Sequence, residues 1–185
     1  MKAIVTKLEG LKQLVPRAFA DARGFFLETY HQPRYAELGI DCNFVQANHS
    51  RSVMGTLRGL HYQRTPGQSK LISVVRGRVF DVAVDIRPES PTFGQWHGVY
   101  LDDQDHAQLF VPVGFAHGFC VVSEVADVVY QVSSVYDGAT ECSIRFDDPE
   151  IGVEWPLTEP LVSERDAVAE SFADFKARLG QRDAT

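Results

Sequence analysis

The chain has 185 residues, 44% of them hydrophobic and 23% charged, and a formal net charge of −7 at pH 7. This length and this balance of apolar and charged residues are typical of one globular domain whose core is stable without disulfides or bound metals. The negative charge and the absence of any Lys or Arg run argue against a nucleic-acid partner, so any bound phosphate must be held by a few placed arginines.

The N-terminus and the cysteines indicate the compartment. Residues 1–7 contain no long apolar stretch ahead of a cleavage site, and no segment approaches membrane-spanning length. We therefore expect a cytoplasmic protein with no membrane partner. Cys42, Cys120 and Cys142 are odd in number and lack CxxC spacing, which favours structural thiols over a disulfide framework or a zinc knuckle.

Short strands separated by Gly, Pro and Asp turns dominate residues 1–146, which predicts an all-β sandwich or barrel. The segment 33–39 begins with proline and ends with glycine, as a short helix would. We expect a single domain over residues 1–185, with the sandwich in about 3–146 and a helical segment in about 164–180.

The first strand of interest follows this short helix. Phe44, Gln46, Asn48 and Ser50 share one face, while Val45 and Ala47 share the other. An amide pair is unusual on a core face and suits a polar cavity. The alternative, an outward face in contact with solvent, is slightly favoured by the residues alone.

The most informative stretch runs from Gly55 to Lys70 and brings a guanidinium, an imidazole and an ammonium close together in sequence. Strict alternation would place Arg58 and His61 on opposite faces of a strand, so both can reach one cavity only if the strand is irregular at Gly59. We predict a bulge or bend there. An edge strand with exposed charges is an equally good interpretation of this stretch alone.

The next two strands are predicted over 71–75 and 79–86, with a turn at Arg76 and Gly77. Apolar residues alternate with Asp81, Ala83 and Asp85 in the second strand. This pattern predicts a β-hairpin.

The composition changes after Trp155 and Pro156. Val168, Phe172, Phe175 and Leu179 follow at helical spacing in a segment rich in Ala, Glu, Asp and Lys. We expect one amphipathic helix that packs against the sandwich and ends near residue 180.

Six histidines raise the possibility of a metal site. Pro112-x-Gly114-x-x-His117 resembles the second metal motif of the cupin superfamily, but the first motif requires His-x-His followed by Glu. The matching stretch here is His61-Tyr62-Gln63, so a stable first-row metal site is not predicted, and a metal-dependent cupin oxygenase is disfavoured.

Several longer motifs resemble one family, the dTDP-4-dehydrorhamnose 3,5-epimerases. The resemblance covers about residue 3 to Asp166 in order. The motifs that carry it are Asp21-x-Arg23-Gly24-x-Phe26-x-Glu28, Gln46-x-Asn48-x-Ser50-x-Ser52, Gly55-Thr56-Leu57-Arg58-Gly59-Leu60-His61, Gln68-x-Lys70, Gly77-Arg78-Val79-Phe80-Asp81-Val82, Ser90-Pro91-Thr92-Phe93-Gly94, Gly114-Phe115-Ala116-His117-Gly118-Phe119 and Asp148-Pro149.

This resemblance implies a cupin-type jelly-roll enzyme that inverts C3 and C5 of a dTDP-linked 4-keto-6-deoxyhexose. Both carbons are α to the C4 ketone, so removal of either proton gives an enolate. A base, an acid on the opposite face and a cation near the ketone oxygen suffice. No cofactor is therefore expected.

The resemblance also implies four catalytic residues. His61 would be the base, oriented by Asp166, while Tyr130 would donate the proton on the far face and Lys70 would offset the enolate charge. Without the resemblance, a helix N-terminal carboxylate, an aromatic packed in a strand and a solvated strand end would be better interpretations of Asp166, Tyr130 and Lys70.

The implied binding residues surround the nucleotide and the sugar. Arg23 and Arg58 would lie near the diphosphate, where bidentate contacts suit arginine. Phe26 and Tyr136 would stack on the thymine. The remaining implied substrate contacts are His117, beside the sugar, with Glu28, Gln46, Asn48, Glu141 and Arg165.

A homodimer with an exchanged N-terminal strand is expected, in which the partner subunit supplies Arg23. The nearest rival is an epimerase that inverts only C3 or only C5 of a related nucleotide-linked 4-keto-6-deoxy sugar. A non-catalytic sugar-binding module is disfavoured by the pair of His61 and Tyr130. The departures from the family pattern, Cys120 and Val135, concern substrate fit more than reaction type.

Overall fold

Two antiparallel sheets form the fold of residues 1–180, the part of the chain that this computed structural model describes. The six-stranded sheet has the order β1-β2-β10-β7-β12-β5. Its strands are Lys2–Val5 (β1), Lys12–Val15 (β2), Gln46–Val53 (β5), Lys70–Arg76 (β7), Gln108–Val111 (β10) and Val125–Val132 (β12).

The five-stranded sheet faces it and has the order β13-β6-β11-β8-β9. Its strands are Leu57–Gln63 (β6), Arg78–Asp85 (β8), Trp96–Asp102 (β9), Phe115–Val121 (β11) and Glu141–Ser143 (β13). A separate two-stranded hairpin is formed by Ala18–Asp21 (β3) and Gly24–Leu27 (β4). The predicted all-β, cupin-type jelly-roll sandwich is thereby confirmed.

Apolar side chains from both sheets meet between them and form the main core. Ile72 and Leu109 come from the six-stranded sheet, and Val79, Phe119 and Val121 come from the five-stranded sheet. Burying such side chains is the main driving force for bringing the two sheets together.

The helix Gln32–Glu37 (α1) confirms the short helix predicted near 33–39. Its only buried residue, Tyr35, packs with Leu14, Leu71 and Phe110. Gly39 follows the end of the helix with φ of +75°, a conformation that favours glycine.

The predicted hairpin over residues 71–86 is wrong. Strand β7 pairs with β10 and β12, whereas β8 pairs with β9 and β11 in the other sheet. The turn at Gly77 therefore carries the chain from one sheet to the other. The alternation of side chains describes the two faces of β8 correctly, and both faces are buried. It does not reveal which strands lie beside β8 in the sheet.

The prediction of a single C-terminal helix is also wrong for the first half of that segment. Two short helices, Glu164–Ala167 (α2) and Phe172–Gly180 (α3), are separated by a segment in which Glu170 bridges Ile144. Val168 is 82% exposed, whereas Phe172 and Phe175 are buried against the five-stranded sheet as predicted. No helix within residues 1–180 has the length and apolar character needed to span a bilayer.

The bulge predicted at Gly59 is confirmed. On the pairing between β6 and β11, His61 lies opposite His117 and Arg58 lies opposite Phe119, so β6 holds one more residue than its partner. Gly59 has φ of +140° and lies against the backbone of Gly118. A bulge of this kind shifts the alternation of side chains by one residue.

We expect Gly59→Ala to destabilise the protein more than Gly24→Ala. Both glycines have positive φ, which costs about 1–3 kcal/mol for alanine. A Cβ at Gly59 would approach Gly118 Cα to 2.5 Å, whereas a Cβ at Gly24 meets no atom within 4 Å. The clash should add about 1–3 kcal/mol, measurable as a larger loss of unfolding free energy in urea. Equal losses would contradict this account of the bulge.

Candidate active site

A cavity of about 230 Å³ opens between the two sheets. Strands β5, β7 and β12 of the six-stranded sheet contribute side chains to one wall, and β6, β11 and β13 of the five-stranded sheet contribute to the other. The lining residues are Ser50, Arg58, His61, Lys70, His117, Phe119, Tyr130, Tyr136 and Glu141. The cavity therefore gathers seven of the fourteen site residues predicted from the sequence.

The bulge in β6 places both Arg58 and His61 on this cavity. The Nε2 atom of His61 lies 2.6 Å from Oδ1 of Asp166. Asp166 is buried in α2, where Ser163 caps the helix by accepting a hydrogen bond from the Asp166 backbone amide. Both interpretations of Asp166 thus hold at once: it lies in the first turn of a helix and it contacts the imidazole.

The same pair affects protonation. Burial works against the charged form of Asp166, but hydrogen bonds led by that from His61 outweigh it and hold the pKa of this carboxyl below its usual range. A carboxylate that remains ionised fixes the tautomer of the ring it contacts.

Lys70 begins β7 and is buried in the cavity wall. Its Nζ atom donates a hydrogen bond to the backbone carbonyl of His61 at 3.4 Å, which links the two sheets. Burial lowers the pKa of Lys70 to about 8, and the carboxylates of Glu141 and Asp81 offset part of this effect. The amine of Lys70 therefore changes its protonation state close to neutral pH.

Tyr130 lies on β12, on the sheet opposite His61. Burial, followed by the charge of Glu141, raises the pKa of Tyr130. The phenol therefore keeps its proton at neutral pH. His61 and Tyr130 meet at one cavity, as the predicted roles require.

Polar residues predicted to bind substrate form a connected rim. Tyr136 donates its hydroxyl to Glu141 at 2.9 Å, and its backbone amide donates to Gln46 at 2.9 Å. Arg165 forms an ion pair with Glu141. Gln46 in turn donates to Asn48 at 2.8 Å. The rim thus joins β5, β13 and α2 and adds three of the predicted residues to the cavity's surroundings.

The face of β5 that carries Gln46, Asn48 and Ser50 points inward, so the cavity interpretation of this strand is confirmed and the solvent-facing one is wrong. Arg58 donates from Nε to the hydroxyl of Ser52 on the same face at 3.0 Å. This contact leaves the terminal nitrogens of the guanidinium to other partners.

His117 is buried at the cavity wall, directly opposite His61 in the strand pairing. Its Nε2 atom lies 2.8 Å from Oδ1 of Asp81 on β8. The site therefore contains two histidine–carboxylate pairs. Within residues 1–180, no three His, Cys, Asp or Glu side chains are grouped as metal ligands.

Three predicted binding residues lie away from this cavity in the single chain. Arg23 and Phe26 are on the β3–β4 hairpin, where the Arg23 side chain is 91% exposed and pairs with Asp21. Phe26 is 72% exposed. Glu28 forms an ion pair with Arg34. One copy of residues 1–180 does not bring these side chains to His61.

Sequence reasoning missed three residues at the site. Ser50 is on the predicted face but was not proposed as a site residue. Phe119 lies in a fully buried strand, where an aromatic residue looks like part of the core. Asp81 could have been found from the sequence, because a charged residue within an apolar strand is unusual unless it has a specific partner or role.

Comparison with known proteins identifies the family. Residues 5–174 match the family model described as dTDP-4-dehydrorhamnose 3,5-epimerase. The chain belongs to this family. A dTDP-4-dehydrorhamnose 3,5-epimerase of Neisseria gonorrhoeae is 49% identical over 174 residues, which is 94% of this chain. The chain spans about half, 53%, of the length of that relative.

Members of the epimerase family with solved structures share the fold along the chain. The dTDP-6-deoxy-D-glucose-3,5-epimerase RmlC from Legionella pneumophila Philadelphia 1, crystallised in complex with dTDP-4-keto-L-rhamnose, is 48% identical with a TM-score of 0.93. The similarity covers 96% of both chains. A Streptomyces niveus relative named dTDP-4-dehydrorhamnose 3-epimerase is 44% identical over 91% of this chain and 83% of its own.

Proposed function

We propose that this chain is an isomerase that converts dTDP-4-dehydro-6-deoxy-D-glucose to dTDP-4-dehydro-L-rhamnose by inverting C3 and C5. Membership of the epimerase family supports this proposal. The observation that carries it is the placement of His61 and Tyr130 on opposing sheets around one cavity, with Lys70 beside them. Inversion requires that a proton leave one face of the sugar and return to the other.

His61 is the base in this proposal. Because Asp166 occupies Nε2, Nδ1 is the ring nitrogen that accepts the proton from C3 or C5. Asp166 holds the ring in that tautomer and stabilises the imidazolium that forms, since it stays ionised. The base is thus built from β6 and α2 together.

Lys70 stabilises the enolate. Removal of either α-proton places negative charge on the C4 oxygen, and an ammonium in a buried site offsets that charge more strongly than it would in water. The same geometry serves both carbons, because C3 and C5 flank one ketone. No cofactor is needed for this step.

Tyr130 returns the proton from the opposite face. Its raised pKa keeps the phenol protonated at neutral pH, so it is ready to donate when the enolate carbon takes up a proton. A site with only a base would exchange protons without inverting the carbon.

The nucleotide is held by the remaining predicted residues. Arg58 suits the diphosphate, Tyr136 the thymine ring, and Gln46, Asn48, Glu141 and Arg165 the polar groups around them. His117 lies at the cavity wall, where the sugar would sit.

We further propose a homodimer in which the partner subunit supplies Arg23, Phe26 and Glu28. In the single chain these residues are displaced from the cavity, and the hairpin that carries two of them exposes Phe19, Phe25 and Phe26 to solvent. Exposed aromatic clusters of this kind are typical of protein interfaces. We also propose a cytoplasmic location, supported by three cysteines that are all unpaired.

Proton exchange tests the proposed activity. The protein is incubated in deuterated water with dTDP-4-dehydro-6-deoxy-D-glucose, and C3 and C5 are followed by NMR. Deuterium should enter at both carbons, and EDTA should leave the rate unchanged. Exchange at C3 alone would instead make the protein a 3-epimerase, the activity named for the Streptomyces relative. Loss of activity with EDTA would support a metal-dependent enzyme.

Substitutions at the base and the acid should have different effects. His61→Asn should abolish exchange at both carbons, with a loss of about 10²–10⁴-fold, whereas Tyr130→Phe should retain some exchange while losing inversion. The matched controls are His49→Asn and Tyr100→Phe, which alter exposed side chains elsewhere. Normal turnover by His61→Asn would show that the base is misassigned.

Mixed dimers test the origin of Arg23. Arg23→Ala and His61→Asn should each be nearly inactive alone. If Arg23 acts on the partner's cavity, a random mixture of the two chains should recover about a quarter of wild-type turnover, because half the dimers are mixed and each has one complete site. A mixture no more active than its components would place Arg23 and His61 in the same chain's site.

A further inference from the structure

The buried carboxylate of Asp81 has no role in the mechanism proposed above. Asp81 lies in the middle of β8, is 0% exposed, and pairs with Phe119 and Val99 on the neighbouring strands. Removing a carboxylate from water carries a large desolvation cost, so a charge at this position is a poor way to stabilise a sheet.

Asp81 differs in its partners from the other two buried aspartates that lie on strands or at their ends. Asp85 pairs with Arg87 and Asp127 pairs with Arg51, so each meets a guanidinium. Oδ1 of Asp81 meets only the imidazole of His117, and Oδ2 has no hydrogen-bond partner within residues 1–180. No arginine or lysine neutralises this carboxylate among the described ion pairs.

Lys70 is the cation on which this charge acts. It is buried at the cavity that His117, the hydrogen-bond partner of Asp81, also lines, and its hydrogen bond is to a neutral carbonyl. The carboxylates that favour its charged form are Glu141 first and then Asp81. Glu141 also forms an ion pair with Arg165 and accepts a hydrogen bond from Tyr136, so part of its charge is already engaged.

We infer that Asp81 is a positioning residue of the proposed epimerase, which fixes the ring of His117 through Nε2 and supplies the negative charge that keeps Lys70 an ammonium. This inference rests on the proposed function, because it assigns a purpose to the charge on Lys70. Asp81 acts through two other side chains and does not itself contact substrate.

Other charged or titratable groups also surround Lys70 in the cavity. Those that line the cavity are Arg58, His61, His117, Tyr130, Tyr136 and Glu141, and Asp81 contacts this lining through His117. Arg58 opposes the ammonium, and only Glu141 and Asp81 favour it among the permanently acidic residues. Loss of either carboxylate should therefore make Lys70 easier to deprotonate.

The direction of the pH effect follows from this balance. Burial already lowers the pKa of Lys70 to about 8, and the enolate needs the ammonium form. Activity should therefore fall as the pH rises through this value. Without Asp81 the pKa of Lys70 falls further, so the fall in activity should begin at a lower pH.

Two measurements on Asp81→Asn test the inference. NMR of ¹³C-labelled lysine in the substrate-free protein follows Lys70, assigned by the signal missing from Lys70→Met. The titration midpoint should fall by about one pH unit in Asp81→Asn, and the alkaline limb of kcat/KM should move with it. Asp127→Asn removes the same charge from a buried aspartate on another strand and should leave both unchanged.

The outcomes separate this inference from the proposed function. If Asp81→Asn melts like the wild type but leaves the Lys70 midpoint and the alkaline limb unchanged, the inference is overturned. If the wild type does not epimerise, the proposed function fails, yet the NMR titration still decides whether Asp81 holds the charge on Lys70.

A measurement on the wild type guards against a variant that does not fold. In ¹⁵N NMR of the histidine rings, the Nε2 atom of His117 should carry a proton that it donates to Asp81. A bare Nε2 with the proton on Nδ1 would mean that Asp81 is the donor and hence uncharged, which would also overturn the inference.

Discussion

The extra residue in β6 is the constraint on which the site depends. Regular alternation would send Arg58 and His61 to opposite faces, and one of them would then point into the packing beneath the C-terminal segment. The bulge at Gly59 resolves this conflict, because a glycine with positive φ approaches the Gly118 backbone more closely than any side chain would allow. Arg58, the candidate phosphate-binding residue, and His61, the proposed base, thus face one cavity because two glycines lie against each other on adjacent strands.

Burial has opposite effects on the two groups supplied by the six-stranded sheet. It lowers the pKa of Lys70 to about 8 and raises that of Tyr130, since each group is shifted toward its neutral form. The phenol of Tyr130 therefore loses its proton less readily, and the ammonium of Lys70 loses its proton more readily. Burial therefore keeps the proposed acid protonated without further help, while the ammonium of Lys70 depends on nearby carboxylates. This asymmetry accounts for the carboxylates of Glu141 and Asp81 near a site that we propose binds an anionic substrate.

The sequence predicted the sandwich, the short helix at α1 and the irregularity at Gly59, because each depends on local alternation, capping or glycine chemistry. It failed where the answer depends on distant partners. The turn at Gly77 has the same chemistry whether it joins strands within a sheet or between sheets. The helical spacing from Val168 to Phe172 predicted one continuous helix. The β-bridge between Glu170 and Ile144 interrupts it, and the local spacing contains no sign of that bridge. The contact of Asp166 with His61 joins residues far apart in the chain, and only the family resemblance indicated it.

The C-terminal segment belongs to the site because one strand connects them. Tyr62 follows His61 on β6 and points to the opposite face, where its ring packs edge-on against Phe175 with centroids 5.7 Å apart. Its hydroxyl donates to Glu170 and accepts from Arg178, both from the segment that follows Asp166. Helix α3 is thus fixed to the face of β6 opposite the one that carries the proposed base, His61. Since α2 lies just before this anchor, packing on one face of β6 sets the position of the carboxylate that orients the imidazole on the other.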